Sequence, residues 1–158
     1  MNLAAQILDV AKDNDIMIAT AESCTGGMIA AALTDIAGSS AVFERGFVTY
    51  ANAAKIEMLG VQPGTLKTHG AVSEQVAREM ARGALAHSQA QIALSVTGIA
   101  GPGGSDHKPE GRVCFGLAQG SNVTSETIEF GAIGRKSVRA KARDHGLNMI
   151  LTALSRFA

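Results

Sequence analysis

The chain has 158 residues, 46% of them hydrophobic and 18% charged, and its 14 basic and 14 acidic residues give a formal net charge of zero. This length suits one domain with a full core, and the composition excludes a disordered chain. The neutral balance gives no support to binding of nucleic acid or of a membrane surface, and no apolar run is long enough for a membrane-spanning helix.

In the first half of the chain, helical and strand patterns alternate. Apolar residues recur at helical spacing at the N-terminus, and the apolar run that follows has strand character. Pro-Gly and Gly residues predict a loop at 61–70. The predicted elements are a helix at 2–13, a strand at 16–21, a helix at 25–37, a strand at 41–50 and a short helix capped by Asn52.

In the second half, the alternation ends in a hairpin, signalled by Gly120-Ser121-Asn122. The predicted elements are a helix at 73–87, strands at 91–98, 112–119 and 123–130, and a final helix at 135–157. A long Gly- and Pro-rich loop follows the strand at 91–98. We therefore predict a single three-layer α/β/α domain over residues 1–158, a mixed sheet with helices on both faces.

Three loops with unusual sequences follow predicted strands: "ESCTGG", "YANAAK" and "TGIAGPGGSDHKPEG". Ligands of such sheets bind beyond the carboxyl ends of the strands, so we expect the three loops to converge at one edge.

The first loop places Ser23 directly before a predicted helix. Main-chain N–H groups at Thr25, Gly26 and Gly27 would suit a phosphate or the oxyanion of a reaction at Ser23. The loop lacks the Gly-Lys-Ser/Thr ending of a phosphate-binding Walker loop. A plain turn with Thr25 as helix cap is an equal alternative for this stretch alone.

A serine needs a base, and the second loop offers Lys55, with Tyr50 placed to relay or orient the proton. A lysine desolvated at a sheet edge loses its proton more readily than one in water. The alternative is that Tyr50 is a strand-end aromatic residue and Lys55 a solvated one. Cys24 is the weaker candidate nucleophile, and Glu22 would orient a ligand or pair with a surface base.

The histidines and cysteines give less support to a site. His107, beside Asp106, is the one histidine in these loops, and exposure to water is its simpler interpretation. The four histidines lack zinc-ligand spacing, so no metal is expected. Cys24 and Cys114 are expected to be free thiols, with Cys114 in the core. Because the N-terminus lacks a signal peptide pattern, we expect a cytoplasmic protein.

Residues 135–143, "RKSVRAKAR", carry five cations at the start of the last predicted helix. Arg135, Arg139 and Arg143 lie on one face at four-residue spacing. Cations are unfavourable at a helix N-terminus, so an anion should compensate them. A ligand phosphate, a surface carboxylate and nucleic acid are the alternatives, and the last is poorly supported.

The segments "TAESCTGG", "VTYANAAK", "GAVSEQVAREMARGA", "VTGIAGPGG" and "KPEGRVCFGLA" occur in this order along nearly the whole chain. Together they resemble the CinA C-terminal domain family, which includes standalone nicotinamide-nucleotide amidases. The resemblance implies hydrolysis of the carboxamide of nicotinamide mononucleotide, with Ser23 as nucleophile and Tyr50 and Lys55 as its activators. Arg112 and the polar segment "SDHKPE" are the clearest departures from the family pattern.

The resemblance and the loop chemistry together predict the residues that contact the substrate. They are Glu22, Cys24, Thr25, Gly26, Gly27, Thr97, Gly98, Ala100, Gly101, Gly103, Gly104, Arg135 and Arg139. The partner implied is a small mononucleotide, without a metal or organic cofactor, and a homodimer or higher homo-oligomer is expected, with the homodimer favoured by base rates. The alternative function is a module that binds a pyridine nucleotide, or regulates competence or the DNA-damage response, without catalysis.

Overall fold

A computed structural model describes residues 2–105 and 107–157 of the chain. Among them are five strands, six α-helices and a 3₁₀ turn at Ser39–Ala41. The elements are α1 (Leu3–Asp13), β1 (Ile18–Glu22), α2 (Met28–Thr34), β2 (Phe43–Val48), α3 (Asn52–Leu59), α4 (Pro63–His69), α5 (Glu74–Ala86), β3 (Ile92–Gly98), β4 (Arg112–Gln119), β5 (Asn122–Glu129) and α6 (Arg135–Leu154).

The strands form one mixed sheet in the order β2-β1-β3-β4-β5. The first three run parallel, and β4 and β5 are antiparallel additions joined by the predicted hairpin. Parallel pairing continues past β1, since the Ser23 N–H donates to the Val96 carbonyl at 2.9 Å. The loops after β1, β2 and β3 therefore leave the sheet at the same edge.

Helices cover both faces of the sheet, which confirms the predicted α/β fold class. On one face α1, α2 and α6 pack on the sheet around Ile7, Leu33 and Ile150. On the other face α3 and α5 pack around Leu59 and Met80. Because it is covered on both sides, β1 is buried at all five positions, which explains the small and apolar residues that precede Glu22.

The loop predicted at 61–70 is wrong, because Pro63–His69 forms α4. Proline is favourable at a first helical position, where its missing N–H would have no partner. The helix is held by tertiary contacts: Glu79 of α5 accepts from the Gln62 N–H at 2.8 Å and from the Thr65 hydroxyl at 2.6 Å. Those contacts join residues far apart in sequence, so the local pattern of glycine and proline residues does not reveal them.

The helix predicted from residue 25 begins only at Met28. Gly26 and Gly27 adopt φ values of 58° and 104°, a left-handed conformation that glycine tolerates and a helix does not contain. Smaller differences occur elsewhere, since the strand predicted at 41–50 spans Phe43–Val48 and the last helix ends at Leu154. Within the described residues no helix has the length and hydropathy needed to span a membrane.

Candidate active site

A cavity of about 350 Å³ lies where the three loops meet. The convergence predicted for them is therefore confirmed. The cavity is lined by Ser23 and Cys24 after β1, Tyr50, Asn52 and Lys55 after β2, Ala71 and Val72 before α5, residues 97–105 at and after the end of β3, and Arg135 of α6.

Ser23 and Lys55 are in direct contact at the floor of this cavity. Lys55 Nζ lies 3.1 Å from Ser23 Oγ, and Lys55 is only 1% exposed. The other two partners of Nζ are main-chain carbonyls, those of Thr49 at 3.0 Å and Tyr50 at 3.1 Å. Carbonyl oxygens only accept hydrogen bonds, so they use two N–H groups of the amine whatever its charge.

This geometry gives Lys55 two consistent states. As an ammonium it donates a third hydrogen bond to Ser23 Oγ, and as a neutral amine it turns its lone pair toward the Ser23 O–H. Desolvation by burial lowers the pKa of Lys55 and favours the neutral state. A neutral amine within hydrogen-bond distance of a serine hydroxyl is a competent general base.

Tyr50 contacts this pair through its main chain, not through its phenol. The Tyr50 carbonyl accepts from Lys55, while the Tyr50 hydroxyl accepts from Arg135 Nη2 at 2.8 Å. The side chain is 62% exposed. Tyr50 therefore stands at the rim of the cavity beside Arg135.

The Cys24 thiol lies in the cavity wall and is 5% exposed. Burial raises its pKa to about 12, so the thiolate is a minor species at neutral pH. Of the two adjacent candidate nucleophiles, Ser23 has the Lys55 amine within hydrogen-bond distance of its side chain. Cys114 is buried, as expected for a core residue, and both cysteines are free thiols.

Glu22, the last residue of β1, is turned away from the cavity and caps α2. Its carboxylate accepts from the Ile29 N–H at 2.9 Å, the Ala30 N–H at 3.0 Å and the Thr25 hydroxyl at 2.7 Å. A carboxylate is stabilised at a helix N-terminus by the helix dipole. The N-terminus of α2 is thus occupied by the protein's own anion, and neither Glu22 nor residues 25–27 line the cavity.

The loop after β3 supplies the longest wall of the cavity. Thr97, Gly98, Ala100, Gly101, Gly103 and Gly104, all predicted to contact substrate, line it. Within the loop Glu110 accepts from the Gly103 N–H at 2.6 Å, and at the end of β3 the Thr97 hydroxyl donates to the Ala71 carbonyl at 2.9 Å. At Gly101, with φ of 92°, an added Cβ would lie 2.5 Å from the Glu110 carboxyl carbon.

The three arginines on the face of α6 have three different surroundings. Arg135 donates to the Gly101 carbonyl at 2.7 Å and to Tyr50, across the cavity mouth. Arg139 lies outside the cavity lining, and its Nε donates to the Cys24 carbonyl at 2.9 Å. Arg143 pairs with Asp144 at 2.8 Å on the surface. Within the described residues Arg135 and Arg139 have no carboxylate partner.

The remaining sequence candidates lie away from the cavity. His107 is exposed, and Asp106, its neighbour in sequence, lies outside the described residues. Arg112 pairs with Glu129 and does not line the cavity. No cluster of three potential metal ligands occurs in the part of the chain that the structure describes. Sequence reasoning missed six lining residues, which are Asn52, Ala71, Val72, Ile99, Pro102 and Ser105. All six lie in the quoted motifs or loops, but Asn52 was expected to cap a helix, whereas it is the first residue of α3. Ala71 and Val72 carry no reactive group.

A family profile decides the chain's membership. The profile of the CinA C-terminal domain matches residues 1–154. The chain belongs to the CinA C-terminal domain family. The resemblance seen in the sequence motifs is thereby confirmed, and the match covers all three loops of the cavity.

Curated relatives of this CinA C-terminal domain share about half of its residues. It is 49% identical over 153 residues to the nicotinamide-nucleotide amidohydrolase PncC of Escherichia coli strain K12, covering 95% of this chain and 92% of that one. It is 51% identical over 157 residues to the protein of the same name from Enterobacter agglomerans, covering 98% and 93%. Among solved structures, the competence/damage inducible protein CihA of Agrobacterium tumefaciens superposes with a TM-score of 0.92 at 52% identity, covering 97% and 93%.

Proposed function

We propose that this CinA C-terminal domain hydrolyses the carboxamide of nicotinamide mononucleotide, giving nicotinic acid mononucleotide and ammonia. Ser23 is the nucleophile and Lys55 its base. The observation that carries the proposal is the buried 3.1 Å contact between Lys55 Nζ and Ser23 Oγ. The names of relatives at 49% and 51% identity support the choice of substrate.

The reaction needs one proton carrier, and Lys55 serves in both halves. As Ser23 Oγ bonds to the carboxamide carbon, Lys55 Nζ accepts the hydroxyl proton, and it returns this proton to the nitrogen when the C–N bond breaks and ammonia leaves. Water then attacks the acyl–Ser23 ester while Lys55 accepts a proton from that water. The proton passes to Ser23 Oγ as the C–O bond to Ser23 breaks, and the product leaves as a carboxylic acid that loses its remaining proton to solvent.

The oxyanion of each tetrahedral intermediate is stabilised by hydrogen-bond donors, and main-chain N–H groups next to Ser23 are suitable donors. The Gly26 N–H is already used, since it donates to the Ser23 carbonyl at 3.0 Å. That bond orients the Ser23–Cys24 peptide group, whose N–H points opposite to its carbonyl. We assign the Cys24 N–H to the oxyanion.

The phosphate of the substrate is assigned to Arg135. Its guanidinium spans the cavity mouth, and its partners among the described residues are neutral acceptors, the Gly101 carbonyl and the Tyr50 hydroxyl. Arginine binds phosphate with two parallel, charge-assisted hydrogen bonds, which are stronger than bonds to neutral groups. A phosphate therefore supplies the anion that the start of α6 lacks.

The test is ammonia release from nicotinamide mononucleotide by Ser23→Ala and by wild type. Loss of the nucleophile should lower kcat by at least about 10³-fold, while circular dichroism shows the fold intact. Ser121→Ala, an exposed serine in the β4–β5 turn, is the matched control and should keep wild-type activity. Undiminished turnover by Ser23→Ala would remove Ser23 from the mechanism.

The alternative is a module that binds the nucleotide without reaction. It predicts calorimetric binding of nicotinamide mononucleotide by wild type, with no ammonia released over many hours. The names of solved relatives, which are competence or damage inducible proteins, favour this alternative. Both measurements use the same purified chain and substrate.

A further inference from the structure

Two walls of the candidate cavity are both contacted by one residue, Lys108, that the proposed chemistry does not use. One wall is the glycine-rich loop after β3, with Gly104 and Ser105 at its far end. The other is the turn between α4 and α5, with Ala71 and Val72. Lys108 lies in the polar segment "SDHKPE", outside the cavity lining, and contacts both.

The main chain of Lys108 holds the first wall. Its N–H donates to the Ser105 carbonyl at 2.8 Å, and its carbonyl accepts from the Ser105 N–H at 3.0 Å, so the two residues are paired by two main-chain hydrogen bonds. Gly104 packs so closely on the Lys108 carbonyl that an added Cβ would overlap it. These contacts do not depend on the lysine side chain.

The side chain of Lys108 holds the second wall. Its Nζ donates to the His69 carbonyl at 2.6 Å and to the Val72 carbonyl at 2.5 Å. His69 is the last residue of α4, where carbonyls lack helical partners and a cation is favourable. Among the described residues Lys108 forms no ion pair, so these carbonyls are the partners its charge has there.

The turn at residues 69–72 is therefore fixed through its carbonyls. The Gly70 carbonyl accepts from the Ser73 hydroxyl at 2.8 Å, and the Ala71 carbonyl accepts from the Thr97 hydroxyl at 2.9 Å. Thr97 ties this turn to the inner end of the glycine loop, and Lys108 ties it to the outer end. Without Lys108 the walls would stay joined near Ser23 and be free to separate further out.

We propose that Lys108 is a positioning residue that sets the width of the substrate cavity by strapping the glycine loop to the α4–α5 turn. The kinetic test of this inference rests on the proposed function, because it measures hydrolysis of nicotinamide mononucleotide. Because Lys108 lies away from the Ser23–Lys55 pair, its loss should weaken substrate binding more than it slows the chemical step. Substrate held loosely between the walls would occupy the reactive position less often.

The test compares Lys108→Met with Lys108→Arg and with Lys67→Met. Lys67 is an exposed residue of α4 two positions before His69, which makes its variant a matched control for charge. Lys108→Met should raise KM for nicotinamide mononucleotide about tenfold with kcat changed less than about threefold, and Lys108→Arg should restore most of the loss. Lys67→Met should match wild type.

A second measurement, hydrogen exchange, tests the positioning role of Lys108 without depending on enzyme activity. Hydrogen exchange of the main-chain amides at 99–105 and 70–72 should be faster in Lys108→Met than in Lys67→Met, while exchange in β1 stays unchanged. Labelling of Ser23 by a small organophosphonate should proceed equally in both variants. An unchanged KM together with unchanged exchange would overturn the strap, whereas absence of ammonia release by wild type would overturn only the proposed reaction.

Discussion

The role of Lys55 is determined by the groups that surround its amine. Lys55 is buried against two carbonyls and one hydroxyl, and burial lowers its pKa. The neutral amine accepts the Ser23 proton, so activity requires pH above the folded-state pKa of Lys55. That pKa lies below the value of 10.5 for a lysine in water.

The expected pH profile follows from the requirement for a neutral Lys55 amine. kcat/KM for nicotinamide mononucleotide should fall as pH decreases through the Lys55 pKa and level off above it, at a midpoint lower than a solvated lysine would give. The measurement is kcat/KM across the pH range in which the protein stays folded. Lys55→Arg keeps a cation that does not deprotonate, so it should be inactive throughout. A wild-type profile without an acidic limb would contradict the assignment.

Arg139 acts on the nucleophile through the main chain. Its Nε and Nη2 donate to the carbonyls of Cys24 and Thr25, at 2.9 and 3.3 Å, directly after Ser23. Releasing these carbonyls lets the segment that carries Ser23 shift, and displacements near 1 Å cost about 10²-fold in rate.

Arg139→Ala should therefore lower kcat by about 10- to 100-fold with a smaller change in KM. Arg135→Ala should show the reverse pattern, a raised KM, because Arg135 is assigned to the phosphate. Arg143→Ala, one turn further along α6 and paired with Asp144, is the control. Steady-state kinetics on the three variants separates the roles, and equal effects of all three would contradict it.

At the scale of elements, the packing of α3 on α5 positions Lys55. The main chain of α5 approaches α3 so closely at Gly83 that an added Cβ would overlap the Leu59 carbonyl. Alanine normally stabilises a helix relative to glycine, by about 0.5–1 kcal/mol. At Gly83 the overlap should dominate, because α3 has to move, and α3 carries Lys55.

Gly83→Ala should therefore lower the free energy of unfolding by about 1–3 kcal/mol and reduce activity. Gly64→Ala is the opposite case, since no atom lies within 4 Å of its added Cβ in α4. It should raise the free energy of unfolding by a few tenths to about 1 kcal/mol. Urea titration of both variants measures the difference, and a stabilised Gly83→Ala would disprove the packing argument.

At the scale of the whole molecule, the parallel part of the sheet brings distant residues to one cavity. Ser23, Lys55 and Thr97 follow or end three different strands, and the order β2-β1-β3 makes these strands neighbours. The homodimer stays a prediction at this scale. Sedimentation should give twice the 16.2 kDa chain mass, and a single species of monomer mass would refute it.

Much of this organisation was predictable from local patterns. Continuous apolar strands, helical periodicity and the Gly120–Ser121 hairpin are properties of neighbouring residues, and they correctly predicted a mixed sheet covered on both faces. The same strand ends located Ser23 and Lys55 as candidates for one site. Helices and strands are visible in the sequence as periodic patterns of apolar residues. The loops of the site could be located because they directly follow such elements.

What the tertiary structure alone decided are contacts between residues far apart in the chain. Whether Glu22 faces a ligand or caps α2 depends on how the glycines at 26 and 27 turn the chain, and α4 forms because Glu79 of α5 binds it. The partners of Arg139 and Lys108 are main-chain carbonyls, which every residue type possesses. No residue type marks such an acceptor, so only the packed chain reveals which carbonyl a cation meets.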